Sequence, residues 1–308
     1  MDFKRKRRPW RLLRLIQALI VLGLILGATA LWVARPVPLP DDHFAGLTGD
    51  AARGETVFWA SGCASCHAEE GAEGDARLIL TGGRQFVSDF GTFVAPNISS
   101  DPVYGIGGWT VQDLGNAVLR GVAPDGRHYY PAFPYASYAR MTPQDLVDLH
   151  AFMATLPASN RPNEGHDLAM PFAFRPGIGL WKRFVAHDEG WVVTDALSPQ
   201  EKRGRYLAEG LAHCGECHTP RTALGGLDRS RWFAGAPNPS GEGRIPNISP
   251  ALLRWSEEDL VAYFTYGLTP DFDSAGGSMT DVIHNLARLP ESDRAAIAAY
   301  LQKVRPVQ

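Results

Sequence analysis

Acidic residues are almost missing from the start of this chain. Asp2 is the only one among the first fourteen residues, against Lys4, Arg5, Lys6, Arg7, Arg8, Arg11 and Arg14, a local charge of +6. Strong polarity is missing next, from residues 15–34, where Gln17 is the one strongly polar side chain. Such a run is long enough to cross a bilayer as a helix. A second basic patch is absent, and nothing points to nucleic acid. The composition also lacks the mark of a disordered chain, since 45% apolar and 20% charged are values of a globular protein. With 308 residues the chain holds one large domain or two ordinary ones.

Basic residues ahead of a span stay cytoplasmic, so everything after Ala34 is expected outside the cytoplasm, in the periplasm of an inner-membrane protein. A cleaved signal peptide is the alternative, because Ala28-Thr29-Ala30 has the small-x-small form a signal peptidase needs. The apolar run continues through Leu31, Trp32, Val33 and Ala34, which favours a retained anchor. After it, residues 34–42 carry three prolines in five positions and are expected to be a stiff spacer lifting the folded part off the membrane. Beyond the first fourteen residues the chain carries 23 Lys and Arg against 32 Asp and Glu, a charge of −9 that suits docking on a basic partner face.

All four cysteines fall in two copies of one pattern, Cys63-Ala-Ser-Cys66-His67 and Cys214-Gly-Glu-Cys217-His218. Two disulfides, a zinc site or a redox dithiol would each use some of these residues, yet none explains why His follows the second Cys both times. Cys-x-x-Cys-His is the attachment signature of c-type haem. Two thiols three residues apart on a helical turn each form a thioether to a porphyrin vinyl group, and the next histidine lies under the iron. The expectation is two covalently bound haems, held by Cys63, Cys66, Cys214 and Cys217, with His67 and His218 as proximal ligands.

The two motifs are 151 residues apart, and the stretches downstream of them keep nearly that register. "APNIS" at 95–99 answers "IPNIS" at 245–249, "GWTVQDLGNAVLRG" at 108–121 answers "RWSEEDLVAYFTYG" at 254–267, and "MTPQDLVDLHAFM" at 141–153 answers "LPESDRAAIAAYL" at 289–301. The chain therefore reads as a tandem duplication. Each copy reads as helical: a first helix from about Arg53 or Gln200, a middle helix capped by Thr110 or Ser256, and a last helix near Thr142-Pro143 or Pro290. Neither copy shows an alternating strand run. The expected fold class is all-α, two tandem class I cytochrome c-like domains behind an N-terminal transmembrane helix. The expected segments are 1–34 (basic segment and anchor), 35–52 (spacer), 53–157 (first domain), 158–195 (connection) and 196–308 (second domain). The apolar part of the connection is expected to pack between the copies, with Met170, Trp181 and Trp191 as packing residues.

Met279 is the only methionine after the second haem motif, in a glycine-rich loop before the last helix, and is the expected second axial ligand there; His284 competes. The matching position of the first copy, 146 residues earlier, is Phe133, which cannot coordinate iron. Met141 and His128 are candidates for that place, and the position is otherwise open. Met141 also suits an apolar staple onto Leu146 ahead of the Thr142 cap. Pro96 and Pro246 are placed to accept the Nδ1 hydrogen of each proximal His, fixing ring orientation and tautomer. Trp109 and Trp255 either pack on the haem edge and bond a propionate or serve as core aromatics.

At "RGRYLAEGLAHCGECHTPRTALGG" (203–226), "PNIS", "GVAPDGRHYYPAFPY" and "AGGSM" the sequence resembles the cytochrome c subunits of membrane-bound bacterial alcohol, aldehyde and gluconate dehydrogenases, over nearly all of residues 53–306. The resemblance implies electron transfer from a periplasmic dehydrogenase of molybdenum, flavin or quinoprotein type toward quinone or a terminal oxidase. Two departures stand out. Many members carry three haem motifs rather than two, and the family often has Met where this chain has Phe133. The chain itself is expected to have no substrate chemistry. The competing reading is a dihaem enzyme, a peroxidase or thiosulfate-type oxidoreductase, with an open first haem and acid–base groups from Arg127 and His128.

Overall fold

The computed structural model describes residues 9–186, 190–239, 241 and 243–308. Lys4, Arg5, Lys6, Arg7 and Arg8 of the basic segment lie outside the described residues, as do positions 187–189 of the connection. Helix α1 (Pro9–Val33) has 25 residues, about 37 Å at 1.5 Å per residue. Among the described residues it is the one helix long and apolar enough to cross a membrane, and its apolar surface is not covered by the rest of the chain.

The first copy contains α2 (Ala51–Ala60), α3 (Cys63–His67), strands β1 (Gln85–Ser88) and β2 (Gly91–Val94), then α4 (Val111–Arg120), α5 (Tyr135–Tyr138) and α6 (Pro143–Met153). Strand β3 (Asp167–Leu168) and α7 (Arg175–Phe184) lie in the connection. The second copy contains α8 (Pro199–Arg205), continued by a π-helical turn (Tyr206–Leu211), then α9 (Gly215–His218), strands β4 (Ala236–Pro237) and β5 (Arg244–Ile245), α10 (Glu257–Tyr266), α11 (Ser278–Leu286) and α12 (Glu291–Leu301).

Local chemistry explains the helix starts. Thr110 and Ser256 each accept the backbone N–H three residues on, and Asp113 and Asp259 return the bond to the cap, two complete capping boxes. Thr142 caps α6 with Pro143 in its first turn, and Pro290 occupies the N-cap of α12. Gly121 and Gly267 end α4 and α10 in left-handed conformation.

In both copies the first helix packs across the last, α2 on α6 and α8 on α12. The crossing depends on glycine. A Cβ at Gly54 would lie 2.0 Å from the Asp148 carbonyl oxygen, and one at Gly204 would lie 1.8 Å from that of Ala296. No other residue allows backbones so near. A single apolar core runs from Leu39 to Val304 through both copies.

Three expectations need correction. The chain is mostly helical but not all-α: β1, β2 and β3 form an antiparallel sheet with Phe86 opposite Phe93 and Thr92 opposite Asp167, and β4 pairs with β5. The proline-rich stretch is not a free spacer. Leu39 is buried, its N–H donates to Asn116 Oδ1 at 2.8 Å, and Gln112 Nε2 donates to the carbonyls of Leu39 and Pro40 at 3.1 Å. The connection is only partly a filler between copies. Trp181 and Trp191 are half-buried, but Met170, Phe172, Phe174 and Phe184 are exposed.

Candidate haem-binding sites

Each Cys-x-x-Cys-His motif forms one helical turn, α3 or α9, so both sulfurs and the imidazole project from one short stretch. None of the four cysteines is joined in a disulfide. Burial pushes the Cys63 and Cys214 thiols up to about 12 and Cys66 to about 11. Cys63, Cys66 and Cys214 are half-buried and Cys217 is exposed.

His67 Nδ1 lies 2.8 Å from the Pro96 carbonyl oxygen, and His218 Nδ1 lies 2.8 Å from that of Pro246. A carbonyl only accepts, so Nδ1 carries the hydrogen and Nε2 is left with its lone pair. Burial lowers the pKa of both imidazoles, against the opposing effect of the proline carbonyls, which keeps the rings neutral as an iron ligand must be. Among the described residues neither Nε2 has a protein hydrogen-bond partner. This donor set fits a covalently attached haem at each motif, with a thiol pair and an oriented imidazole.

The loop holding each motif in place is also repeated. Gly82 N donates to the His67 carbonyl at 2.8 Å, and Gly235 N to that of His218 at 2.8 Å. Both glycines have positive φ, 69° and 76°, and a Cβ would lie 2.4 Å from Pro96 C or 2.7 Å from the Ile245 carbonyl oxygen. These two glycines therefore bring the proline carbonyl to the imidazole. Sequence reasoning missed them because they stand 153 residues apart, out of step with the 150–151 register on either side. Downstream, Asn97 and Asn247 each receive the N–H of a serine two residues on, while their amides donate to the carbonyls of Ser159 and Val307.

In the stretch after the middle helix the two copies share a backbone and differ in side chains. Phe133 N donates to Tyr130 O at 3.0 Å, and Met279 N to Gly276 O at 3.2 Å, so the two positions are equivalent in bonding as well as in spacing. Met279 is half-buried against the core, whereas its competitor His284 is exposed on α11. Phe133 stacks edge-on with Tyr129 and Tyr138 at 5.8 Å. Met141 is buried one residue before the Thr142 cap, beside the fully buried Leu146, and Leu289 fills the matching place in the second copy.

His128 is not available to iron. Its Nε2 lies 2.7 Å from the Ala34 carbonyl oxygen, and its Nδ1 lies 3.2 Å from Lys182 Nζ, so both ring nitrogens are engaged. Arg127 is exposed and paired with Asp125 at 2.6 Å. The acid–base pair that an enzymatic reading would take from Arg127 and His128 is thus committed elsewhere. Trp109 and Trp255 are half-buried; their carbonyls are held by His150 of α6 at 3.0 Å and by Gln302, the C-cap of α12, at 2.9 Å. Neither indole nitrogen has a protein partner among the described residues, and Trp255 stacks on Tyr263 at 5.1 Å.

The two motifs lie close together: a Cβ at Gly62, just before Cys63, would lie 3.8 Å from Cε1 of His213, just before Cys214. Tyr138 stacks on His213 at 5.4 Å, and Ser137 donates to Glu216 at 2.8 Å. Helix α11 reaches back to the first motif: Asn285 donates to Ser65 Oγ at 2.7 Å, and Asp281 pairs with Arg77 at 3.0 Å and Arg84 at 2.8 Å. Burial would raise the Asp281 carboxyl, but the hydrogen bonds from Arg84 and Arg77 outweigh it and hold it below the usual range.

A family model described as cytochrome c matches residues 51–157. A protein of Cereibacter sphaeroides named "Diheme cytochrome c-type" is 57% identical over 295 residues, 96% of this chain and 99% of that protein. The fructose dehydrogenase cytochrome subunit of Gluconobacter japonicus is 36% identical over 82% of this chain and 52% of its own length. The gluconate 2-dehydrogenase cytochrome c subunit of Pantoea cypripedii is 35% identical over 85% of this chain and 62% of its own length. The chain therefore spans about half to two thirds of these dehydrogenase subunits and nearly all of the first relative. With attachment motifs, oriented histidines and near end-to-end identity in agreement, the chain belongs to the cytochrome c family.

Proposed function

We propose that the chain is a membrane-anchored carrier with two covalently bound c-type haems, each in its own domain, passing electrons from a periplasmic dehydrogenase toward quinone or a terminal oxidase. The observation that carries this reading is the repeated constellation of Cys pair, His and proline carbonyl, with the same 2.8 Å contact in each half. Each haem, when bound, supplies a one-electron iron couple.

The chain's own residues divide the remaining work. Cys63, Cys66, Cys214 and Cys217 would tether the two groups, and His67 and His218 would ligate the irons, with their tautomer set by Pro96 and Pro246. Met279 supplies a thioether to the second iron, while Phe133 denies one to the first. Met141 acts as the staple of α6, and Trp109 and Trp255 offer their indole N–H groups at the haem rim. Helix α11 carries Met279 and also braces the first motif through Asn285 and Asp281, which holds the two sites in fixed relation. Helix α1 serves as the anchor.

The partner is read from the dehydrogenase subunits to which the chain is similar. Purified full-length protein tests the reading: it is expected to contain two haems per chain by haemochrome assay and to be reduced reversibly by such a dehydrogenase with its substrate. One haem per chain, or steady substrate oxidation by the chain alone, would overturn it.

A further inference from the structure

We propose that the connection between the copies, residues 169–184, forms a second contact with the lipid bilayer, lying in the headgroup layer beside the point where α1 leaves the membrane. The inference rests on α1 being a retained anchor. It starts from an anomaly: Met170 is 73% exposed, Phe174 54% and Phe184 69%, within one apolar segment of a soluble-facing domain. Phe172 is also exposed and stacks on exposed Phe90 at 4.8 Å, so the tip between β1 and β2 joins the same patch. Clusters of large exposed side chains mark an interaction surface rather than ordinary exposure.

The occupant follows from position. Ala34, the first residue after α1, is buried, its carbonyl bound by His128, and a Cβ at Gly179 in the middle of α7 would lie 2.0 Å from that carbonyl oxygen. Helix α7 therefore crosses the exit of α1 at Gly179. Phe174 and Phe184 stand five residues to either side, about 7.5 Å along the axis. The headgroup layer on each side of the hydrocarbon is itself about 5–8 Å deep. Trp32 is exposed near the end of α1 with the Arg35 guanidinium 4.3 Å from its ring centroid, the pairing expected at that depth. A protein partner on this patch would have to displace lipid already beside it. Exposed Arg35 and Arg183 favour anionic headgroups, whereas exposed Asp89 and Asp167 oppose them, so apolar insertion leads the contact.

The test places the photoreactive residue p-benzoylphenylalanine, one site at a time, at Phe172, Phe174, Leu24 or Leu252 of the full chain. The protein is reconstituted in nanodiscs of mixed phosphatidylcholine and phosphatidylglycerol, irradiated and analysed by mass spectrometry. Lipid adducts are expected at Leu24, Phe172 and Phe174, several-fold above Leu252, which is exposed in the second copy. Lipid adducts at Leu24 with none at Phe172 and Phe174 would overturn the second contact and leave the anchor standing. Their absence at Leu24 would remove the anchor and this proposal together, while the haem content of the same sample reports separately on the electron-carrier reading.

Discussion

The loops that follow α4 and α10 have nearly the same backbone and opposite uses. In the first, Tyr129 N donates to Gly121 O at 2.8 Å; in the second, Ala275 N donates to Gly267 O at 2.8 Å. An isolated bridge joins Val122 to His128 and, 146 residues on, Leu268 to Ser274. The side chains then diverge. The first loop is closed over by α7, with Lys182 donating to the carbonyls of Arg120 at 2.6 Å and Gly121 at 2.8 Å and lying 4.4 Å from the Tyr135 ring centroid. His128 in this loop holds the carbonyl of Ala34, the residue after α1. The second loop is open to solvent, with Phe272 85% exposed, and leads into α11, whose first turn holds Met279. In one copy of the duplicated stretch the side chains hold the end of α1 and place Phe133, and in the other the equivalent position is Met279.

The largest way to erase that difference is Met279→Leu. Removing the thioether should lower the second haem's reduction potential by on the order of 0.1 V, out of the roughly 0.8 V range that axial ligands command. Redox titration checks the shift, and carbon monoxide should then bind at both irons rather than one. The reciprocal change, Phe133→Met, should create a low-spin thioether-ligated first haem and abolish its carbon monoxide binding. Phe133 also stacks on Tyr129, Tyr135 and Tyr138, so this variant should lose about 1 kcal/mol of stability for the broken aromatic contacts.

The helix crossings offer a second contrast. Asp148, buried in α6, accepts from Asp50 N at 2.7 Å, Arg53 Nε at 2.7 Å and Gln144 Nε2 at 2.9 Å, whereas Ala296 takes its place in α12. Burial would raise this carboxyl, but Arg53, Asp50 and Gln144 together hold it below the ordinary aspartate value. A depressed carboxyl contributes stability above its unfolded value near pH 4 and loses it as pH falls through the folded value. The first copy should therefore loosen before the second on acidification, as followed by hydrogen exchange. Asp148→Ala should cost about 2–3 kcal/mol at neutral pH by removing the acceptor of four donor atoms on Asp50, Arg53 and Gln144, and should remove the difference in acid sensitivity.

How much of the molecule is legible in its sequence depends on the range of each interaction. The caps at Thr110 and Ser256, and the long apolar helix α1, rest on residues close in sequence, and local sequence alone reveals them. The candidate bonds from His67 to Pro96 and from His218 to Pro246 could be named because they recur. Gly82 and Gly235 escaped since the loop between His and Pro differs in length between copies. The strands escaped because four residues such as Gln85–Ser88 carry too short an alternation to register. The engagement of His128 by Ala34 joins residues 94 apart, and no periodicity announces such a contact. The proline-rich stretch misled for the same reason, as its stiffness is local and its docking onto Asn116 is not.

The smallest expected effect belongs to Met141→Leu, and it sharpens the comparison by leaving it intact. The side chain is buried where an N-terminal staple sits, one residue before the cap and packed in the same core as Leu146. Leucine already performs that role in the second copy at Leu289, also buried. A Met-to-Leu exchange of similar volume should change stability by less than about 1.5 kcal/mol. The oxidised and reduced spectra of both haems, and carbon monoxide binding at the first, should be unchanged. A loss of low-spin signal in this variant would instead make Met141 a ligand, reached from a place that its counterpart in the second copy never uses.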